Sequence, residues 1–167
     1  RPNNTDDEEE QLAHEALRKK YDAADEDALC GRPSKSTPLL LAVGRLVARK
    51  GHRTLLRAMP EILEQHPGAR LCIVGRGHMA KTLLKQAEKL GVGHAVLIQP
   101  GMSFEDLAQH FRSADLVVYP SYYEGQGLIP LEALASGTPV VTVNQAPLTE
   151  MIDETVGELF TTGDSSD

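Results

Sequence analysis

The stretch "SYYEGQGLIPLEALASGTPVV", Ser121 to Val141, places two carboxylates, Glu124 and Glu132, eight positions apart around two glycines and a proline. Carboxylates accept hydrogen bonds from hydroxyls, so two of them at different depths suit a ligand with several hydroxyl groups. The backbone amides of Gly127, Leu128 and Ile129 lie between them at the start of a helix-like run. Free amides at a helix start form a seat for a phosphate. A second stretch, "GRLVARKG" (44–51), carries Arg45 and Lys50 between two glycines. An arginine fork and a lysine point charge can together neutralise a diphosphate. A third, "VGRGH" (74–78), has G-x-G spacing at Gly75 and Gly77, which lets a flat group lie close to the backbone.

Each feature has a plainer alternative. Arg45 and Lys50 also read as solvated surface cations. Glu132 also reads as a carboxylate favoured by the positive end of a helix: Pro130 suits a first helical turn, and Glu132 is expected in that same turn. His78 reads as a helix-start residue rather than a ligand. Glu124 stands apart, because it is expected in a loop outside the helix, facing a crevice. Two common nucleotide motifs are missing. "GRLVARKG" is not a Walker A loop, and position 80 is Ala, so G-x-G-x-x-G is incomplete.

The elements that would position these loops alternate regularly. Continuous apolar runs predict strands at 39–44, 70–75, 95–101, 115–121 and 138–143, with a last strand within 156–164. Helical spacing predicts helices at 51–68, 79–91, 103–114 and 128–137, and a short one at 147–152. Pro60 is expected to kink the first helix or to start a second segment. Ser103 is the expected cap of the third, and Gly91 the expected end of the second. This alternation predicts an α/β fold: a three-layer, Rossmann-like parallel sheet with helices on both faces. Ligands of such sheets bind at the carboxyl ends of the strands, where the three loops fall.

Composition narrows the partners. Of the net charge of −7, residues 1–30 contribute −6, so the body is nearly neutral. Residues 1–37 therefore read as an acidic leader or linker ahead of a domain at 38–167. Trp is absent and aromatics make up 4%, which leaves no stacking platform for single-stranded nucleic acid. Cys30 and Cys72 have neither metal-ligand spacing nor a disulfide framework, so no metal is expected and the location is expected to be cytoplasmic. No apolar run approaches the ~18 residues of a membrane span.

Taken in order, "VGRLVARKG", "IVGRGH" and "ADLVVYPSYYEGQGLIPLEALASGTPVV" resemble the motifs of the retaining glycosyltransferases of the glycogen-synthase-like family 4, in the donor-binding, C-terminal half of their GT-B fold. The resemblance covers nearly the whole chain. It implies sugar transfer from a UDP-, GDP- or ADP-sugar, without a cofactor or metal ion. It implies that Arg45 and Lys50 contact the diphosphate and that the amides around Gly127, Leu128 and Ile129 cap a phosphate. Gly75 and Gly77 would line the nucleobase pocket, Glu132 would hold the ribose, and Glu124 would hold the sugar at the catalytic centre. Gln126 stands where the family commonly has an aromatic residue, and Arg76 where it often has a small or acidic one. "RPNNTDDEE" is similar to the family's interdomain segment, with Asn4 in place of Gly. The resemblance thus implies that an N-terminal acceptor domain is missing, that the fragment alone is inactive, and that peripheral membrane association is open. Two alternatives stand beside it: a non-enzymatic flavodoxin-like binding module and an NAD-type Rossmann enzyme.

Overall fold

In a computed structural model the described residues are 37–161. The acidic leader, Cys30 and Asn4 lie outside them. The strands are β1 (Leu39–Val43), β2 (Arg70–Val74), β3 (Val96–Gln99), β4 (Leu116–Tyr119), β5 (Val140–Val143) and β6 (Gly157–Phe160). Between them run helices α1 (His52–Gln65), α2 (Ala80–Lys89), α3 (Phe104–Ser113) and α4 (Leu128–Ala135). All pairings are parallel, and the sheet order is β3-β2-β1-β4-β5-β6.

That order follows from the apolar strands. A strand buried on both faces needs cover on both, and β1 is buried at all five positions. Leu40 and Ala42 join one core with Leu55, Leu56 and Met59 of α1 and Leu83 of α2. Leu39, Leu41 and Val43 join the other with Phe111 of α3 and Ala133 of α4. The expected three-layer architecture is therefore the one observed. The chain leaves β1 in one direction through β2 and β3, then returns to pair β4 with β1 and continues outward through β5 and β6. The reversal lies between β1 and β4, where Leu40 pairs with Leu116 and Leu41 with Val117. Sheets of this kind bind ligands at that switch point.

Local differences from expectation have local causes. Pro60 starts no second segment: it lies inside α1, which runs unbroken to Gln65. A proline inside a helix costs about 3 kcal/mol. Burial of Leu55, Leu56 and Met59, at roughly 1.5–3 kcal/mol for each large side chain, offsets it. The short helix expected at 147–152 is a single 3₁₀ turn, Leu148–Glu150. Another 3₁₀ turn, Gly93–Ala95, takes the start of the strand expected at 95–101. Ser103 caps α3 as expected: its Oγ accepts from the Asp106 amide at 3.1 Å. Gly91 ends the α2 segment at φ +73°.

Close backbone approach brings the loops together at the carboxyl edge. A methyl on Gly75 would overlap the Gly44 carbonyl oxygen, and one on Gly77 would lie 2.5 Å from the Leu46 carbonyl oxygen. The loops after β1 and β2 are joined there by Leu46 N–H to the Arg76 carbonyl, 2.8 Å, and Met79 N–H to the Leu46 carbonyl, 3.1 Å. Gly51, at φ +70°, presses in the same way on the Pro120 carbonyl, joining the loops after β1 and β4. Gly51→Ala combines left-handed strain with overlap against backbone. It is expected to destabilise the fold by roughly 2–5 kcal/mol in denaturant unfolding. Gly125→Ala, which meets nothing within 4 Å, is expected to change stability far less.

Candidate donor-binding site

The loop after β1 carries a short 3₁₀ turn, Ala48–Lys50, and Gly51 then starts α1. The loop after β4 runs from Pro120 to Gly127. Lys50 and Glu124 meet across these loops, with the Lys50 Nζ on Glu124 Oε1. Lys50 also donates to the Tyr119 hydroxyl at 2.8 Å and lies 5.1 Å from its ring centroid. The fully buried Ser121 donates its hydroxyl to the same Glu124 oxygen at 2.5 Å. The Lys50 and Glu124 side chains are 11% and 12% exposed, so water still reaches the pair from one side.

The backbone around this pair is stitched. Tyr122 N–H donates to the Arg49 carbonyl at 2.9 Å, and Arg49 Nη1 donates to the Tyr123 carbonyl at 3.2 Å. The Tyr122 hydroxyl bonds Thr54 of α1. From beyond β5, Gln145 Nε2 donates to the Tyr122 carbonyl at 2.5 Å. The carboxylate–lysine pair is thus carried on two loops that cannot move independently.

The electrostatics follow from this packing. Burial on its own raises the Glu124 pKa. Hydrogen bonds from Lys50, Ser121 and Tyr119, with the charge of Lys50, outweigh it and leave Glu124 below its ordinary value of 4.5. Tyr119 is pushed well above its ordinary value by burial and then by Glu124, so its phenol keeps its proton.

Glu132 is placed differently from expectation. Gly127, at φ +68°, is the N-cap residue of α4, and the first turn of that helix holds no acidic residue. Glu132 is the fifth helical residue, in the second turn, beyond the stretch where the helix dipole acts strongly. No side chain caps α4, so the capping alternative for Glu132 falls. Pro130 is the third helical residue and has no N–H, and the Leu131 amide reaches back to the Gly127 carbonyl at 3.4 Å. The amides of Leu128 and Ile129 form the open end. A side chain at Gly127 would meet Leu148 Cδ2 at 2.7 Å and Met151 Cε at 2.8 Å, which keeps this corner free of one.

The structure therefore brings Lys50 and Glu124 together and sets the open end of α4 three residues beyond Glu124. It does not join Arg45 to them. Arg45 is exposed; its carbonyl accepts from the Val47 amide at 2.9 Å, but among the described residues no hydrogen bond or ion pair holds its guanidinium. Gly75 and Gly77 are explained first by loop packing. His78 is an exposed turn residue ahead of α2, as its helix-start reading expects. Among the described residues, no group of three or more His, Cys, Asp or Glu side chains is placed to hold a metal ion. No helix there is long and apolar enough to cross a membrane.

The family described as glycosyl transferases, group 1, matches residues 31–167. The chain belongs to this family. Within it, the chain is a glycogen-synthase-like, family 4 domain with the Rossmann-like fold of GT-B enzymes. It is 43% identical over 122 residues to an uncharacterised glycosyltransferase of Methanocaldococcus jannaschii, covering 73% of this chain and 31% of that protein. To the glycogen synthase of Mycobacterium tuberculosis it is 38% identical over 136 residues, 81% of this chain and 33% of that one. The structure of sucrose-phosphate synthase from Thermosynechococcus elongatus superposes with a TM-score of 0.71 at 28% identity, covering 90% of this chain and 36% of that one. The chain thus spans about a third of the length of these curated relatives.

Membership in the group 1 glycosyl transferases sets the chain apart from both the NAD-type Rossmann enzymes and the flavodoxin-like modules. Sequence reasoning missed four members of the cluster: Tyr119, Ser121, Arg49 and Tyr122. The first two carried a usable signal, since a tyrosine ending a buried strand and a serine just past it fall at the crevice edge. Arg49 and Tyr122 join the two loops through one backbone and two side-chain hydrogen bonds that no spacing rule reports.

The lowered Glu124 pKa has a directional consequence. Its contribution to stability is present above the unfolded value near 4.5 and is lost as pH falls through the lower folded value. In thermal melts from pH 7 to pH 3, the difference between wild type and Glu124→Gln is expected to be largest at neutral pH and to shrink at the acid end. A difference that stays constant across that range would show that the carboxylate charge contributes nothing to the fold.

Proposed function

We infer that this chain is the nucleotide-sugar donor-binding domain of a retaining glycosyltransferase that moves a hexose from a UDP-, GDP- or ADP-sugar to an acceptor. The observation that carries the reading is the Lys50–Glu124 pair at the switch point, beside the open end of α4. A cation paired with a carboxylate is ready to exchange one anion for another, here the donor diphosphate. Lys50 would turn to the diphosphate, joined by the free Arg45. The amides of Leu128 and Ile129 would hold phosphate oxygens. Released from Lys50, Glu124 would accept hydrogen bonds from the sugar hydroxyls and serve as the catalytic-site carboxylate. Glu132, one turn into α4 and without a capping role, would hold the ribose. Gly75 and Gly77, which already keep side chains out of the second loop, would leave room for the base.

The other two thirds of the relatives' length would supply the acceptor side. Transfer needs water excluded and the acceptor brought in, so this chain alone would bind donor without turning it over.

Titration calorimetry with UDP, GDP and ADP, and with their glucose conjugates, tests this reading. Saturable binding of at least one diphosphate is expected. Lys50→Ala is expected to weaken it by ~1.5–3 kcal/mol, the range for charged hydrogen bonds. Glu132→Gln is expected to weaken nucleotide binding without changing the melting temperature by more than about 2 °C, as befits a side chain with no cap to lose. A folded chain that binds none of the three up to millimolar concentration would overturn the assignment.

A further inference from the structure

Charge is divided across the sheet. Residues 44–57 and 75–87 carry eight Lys and Arg side chains and no Asp or Glu, while residues 113–161 carry seven carboxylates and no Lys or Arg. The first two segments are the loops after β1 and β2 with the N-terminal parts of α1 and α2. The third holds β4, β5 and β6, the other side of the sheet. The domain is strongly polarised across its width.

The cations outside the donor site fall into register on one surface. α1 and α2 pack into the same core, so they form one outer layer. Arg53 and Arg57 are the second and sixth residues of α1, and Lys81 and Lys85 the second and sixth of α2. A spacing of four keeps each pair on one helix face. All four side chains are exposed. The two rows are neighbours: Arg53 Nε donates to Gln86 Oε1 at 3.2 Å, and Gln86 Nε2 donates back to the Arg53 carbonyl at 3.0 Å. Arg45 and Arg76, also exposed, continue the patch over the loops at the carboxyl edge. Neither helix has an acidic residue in its first turn, where the helix dipole favours one; each has a cation at its second position instead. α3 shows the ordinary arrangement, with Glu105 and Asp106 in that turn. Cations set against two helix dipoles, with no carboxylate in either segment, weaken both helix starts. Neither the core nor the donor site accounts for them.

We propose that this patch, Arg53, Arg57, Lys81 and Lys85 with the basic loops beside them, is a docking surface for an anionic lipid bilayer. The four cations lie on the outer side of two neighbouring helices, so they can meet a plane of headgroups together. Each Lys or Arg held near such a plane adds to the attraction. Segments 44–57 and 75–87 hold no Phe, Tyr or Trp on which bases could stack, which disfavours single-stranded nucleic acid. The carboxylates lie on the far side of the sheet and are screened there, since the Debye length is about 10 Å at 0.1 M salt. Polarity therefore decides which side of the domain meets the membrane. The cations cluster toward the carboxyl edge, so docking brings the loops of Lys50 and Glu124 near the surface. The docking surface stands whether or not that site takes a nucleotide.

Flotation of the 167-residue chain with vesicles of phosphatidylcholine, alone or mixed with phosphatidylglycerol, tests this at about 0.1 M salt. Binding is expected only to the vesicles that contain phosphatidylglycerol, and is expected to fall as salt is raised. Arg57→Gln and Lys85→Gln are each expected to weaken it about fivefold, and the double variant roughly 25-fold. Arg112→Gln removes an exposed cation from α3 in the opposite layer and is expected to leave binding unchanged. Wild type and variants share residues 1–30, so the acidity there cancels in the comparison. Absence of binding to the anionic vesicles, equal binding to both kinds, or an equal loss in Arg112→Gln would overturn the proposal. So would tighter retention by duplex DNA than by the anionic vesicles at the same salt, which would make the patch a nucleic-acid surface. Diphosphate affinity in the double variant is expected to match wild type, so failure of the donor-site reading is told apart from failure of docking.

Discussion

The site depends on one approach: the loop after β1 pressed on the loop after β4, with Gly51 against Pro120 and Lys50 on Glu124. These residues are far apart in sequence and meet only because β1 and β4 pair in parallel at the point where the sheet reverses. Register there has little slack. A slip of one residue would send Leu39, Leu41 and Val43 into the wrong core and part the loops at the same time. Core packing and site assembly are therefore enforced by the same apolar alternation.

The ion pair itself is a compromise. A partly buried pair loses hydration, and its attraction repays this only with good supporting hydrogen bonds. Ser121 supplies one to Glu124, and the Tyr119 hydroxyl accepts one from Lys50. Tyr119 accepts through a lone pair of its hydroxyl oxygen, while burial and the neighbouring Glu124 keep its own proton in place. The tyrosine, the serine and the pair form one network, in which removing a member leaves the others unsatisfied. By contrast Arg45 and Glu132 are uncommitted. The groups that set geometry are bound to each other, and two groups that could grip a ligand are left open.

Most of the fold was legible because fully buried strands and amphipathic helices write their burial into spacing. The six strands and the four main helices sit where apolar periodicity places them, with ends shifted by a few residues. What could not be read was set by tertiary contact. Pro60 survives inside α1 because buried neighbours on the sheet hold it there, and nothing within 51–68 announces them. Glu132 is expected in the first turn together with Pro130, but in a helix that starts at Leu128, as the spacing predicts, it is the fifth residue and falls in the second turn. Gly127 precedes that start in the left-handed region, and Leu148 and Met151 from beyond β5 leave no room for a side chain on it. Of the site, the loops and their charged residues were legible by residue type. The pairing of Lys50 with Glu124 and the isolation of the Arg45 guanidinium were not, since each depends on a loop trace rather than on a period.

On the proposed donor-binding reading, the distribution of cations gives the switch point its use. Residues 113–167 contain no lysine or arginine, so the half of the sheet that begins with β4 has carboxylates and open amides but no side-chain cation. The other half has Arg45 and Lys50 in a loop whose helix, α1, begins at the buried His52. Neither half could both neutralise a diphosphate and accept hydrogen bonds from sugar hydroxyls. The amides of α4 contribute partial charge only, on the order of half an elementary charge at a helix end. A doubly charged anion seated there needs the cations of the neighbouring loop. The one line along which they can reach it is the β1–β4 seam, and Lys50 already lies across that seam.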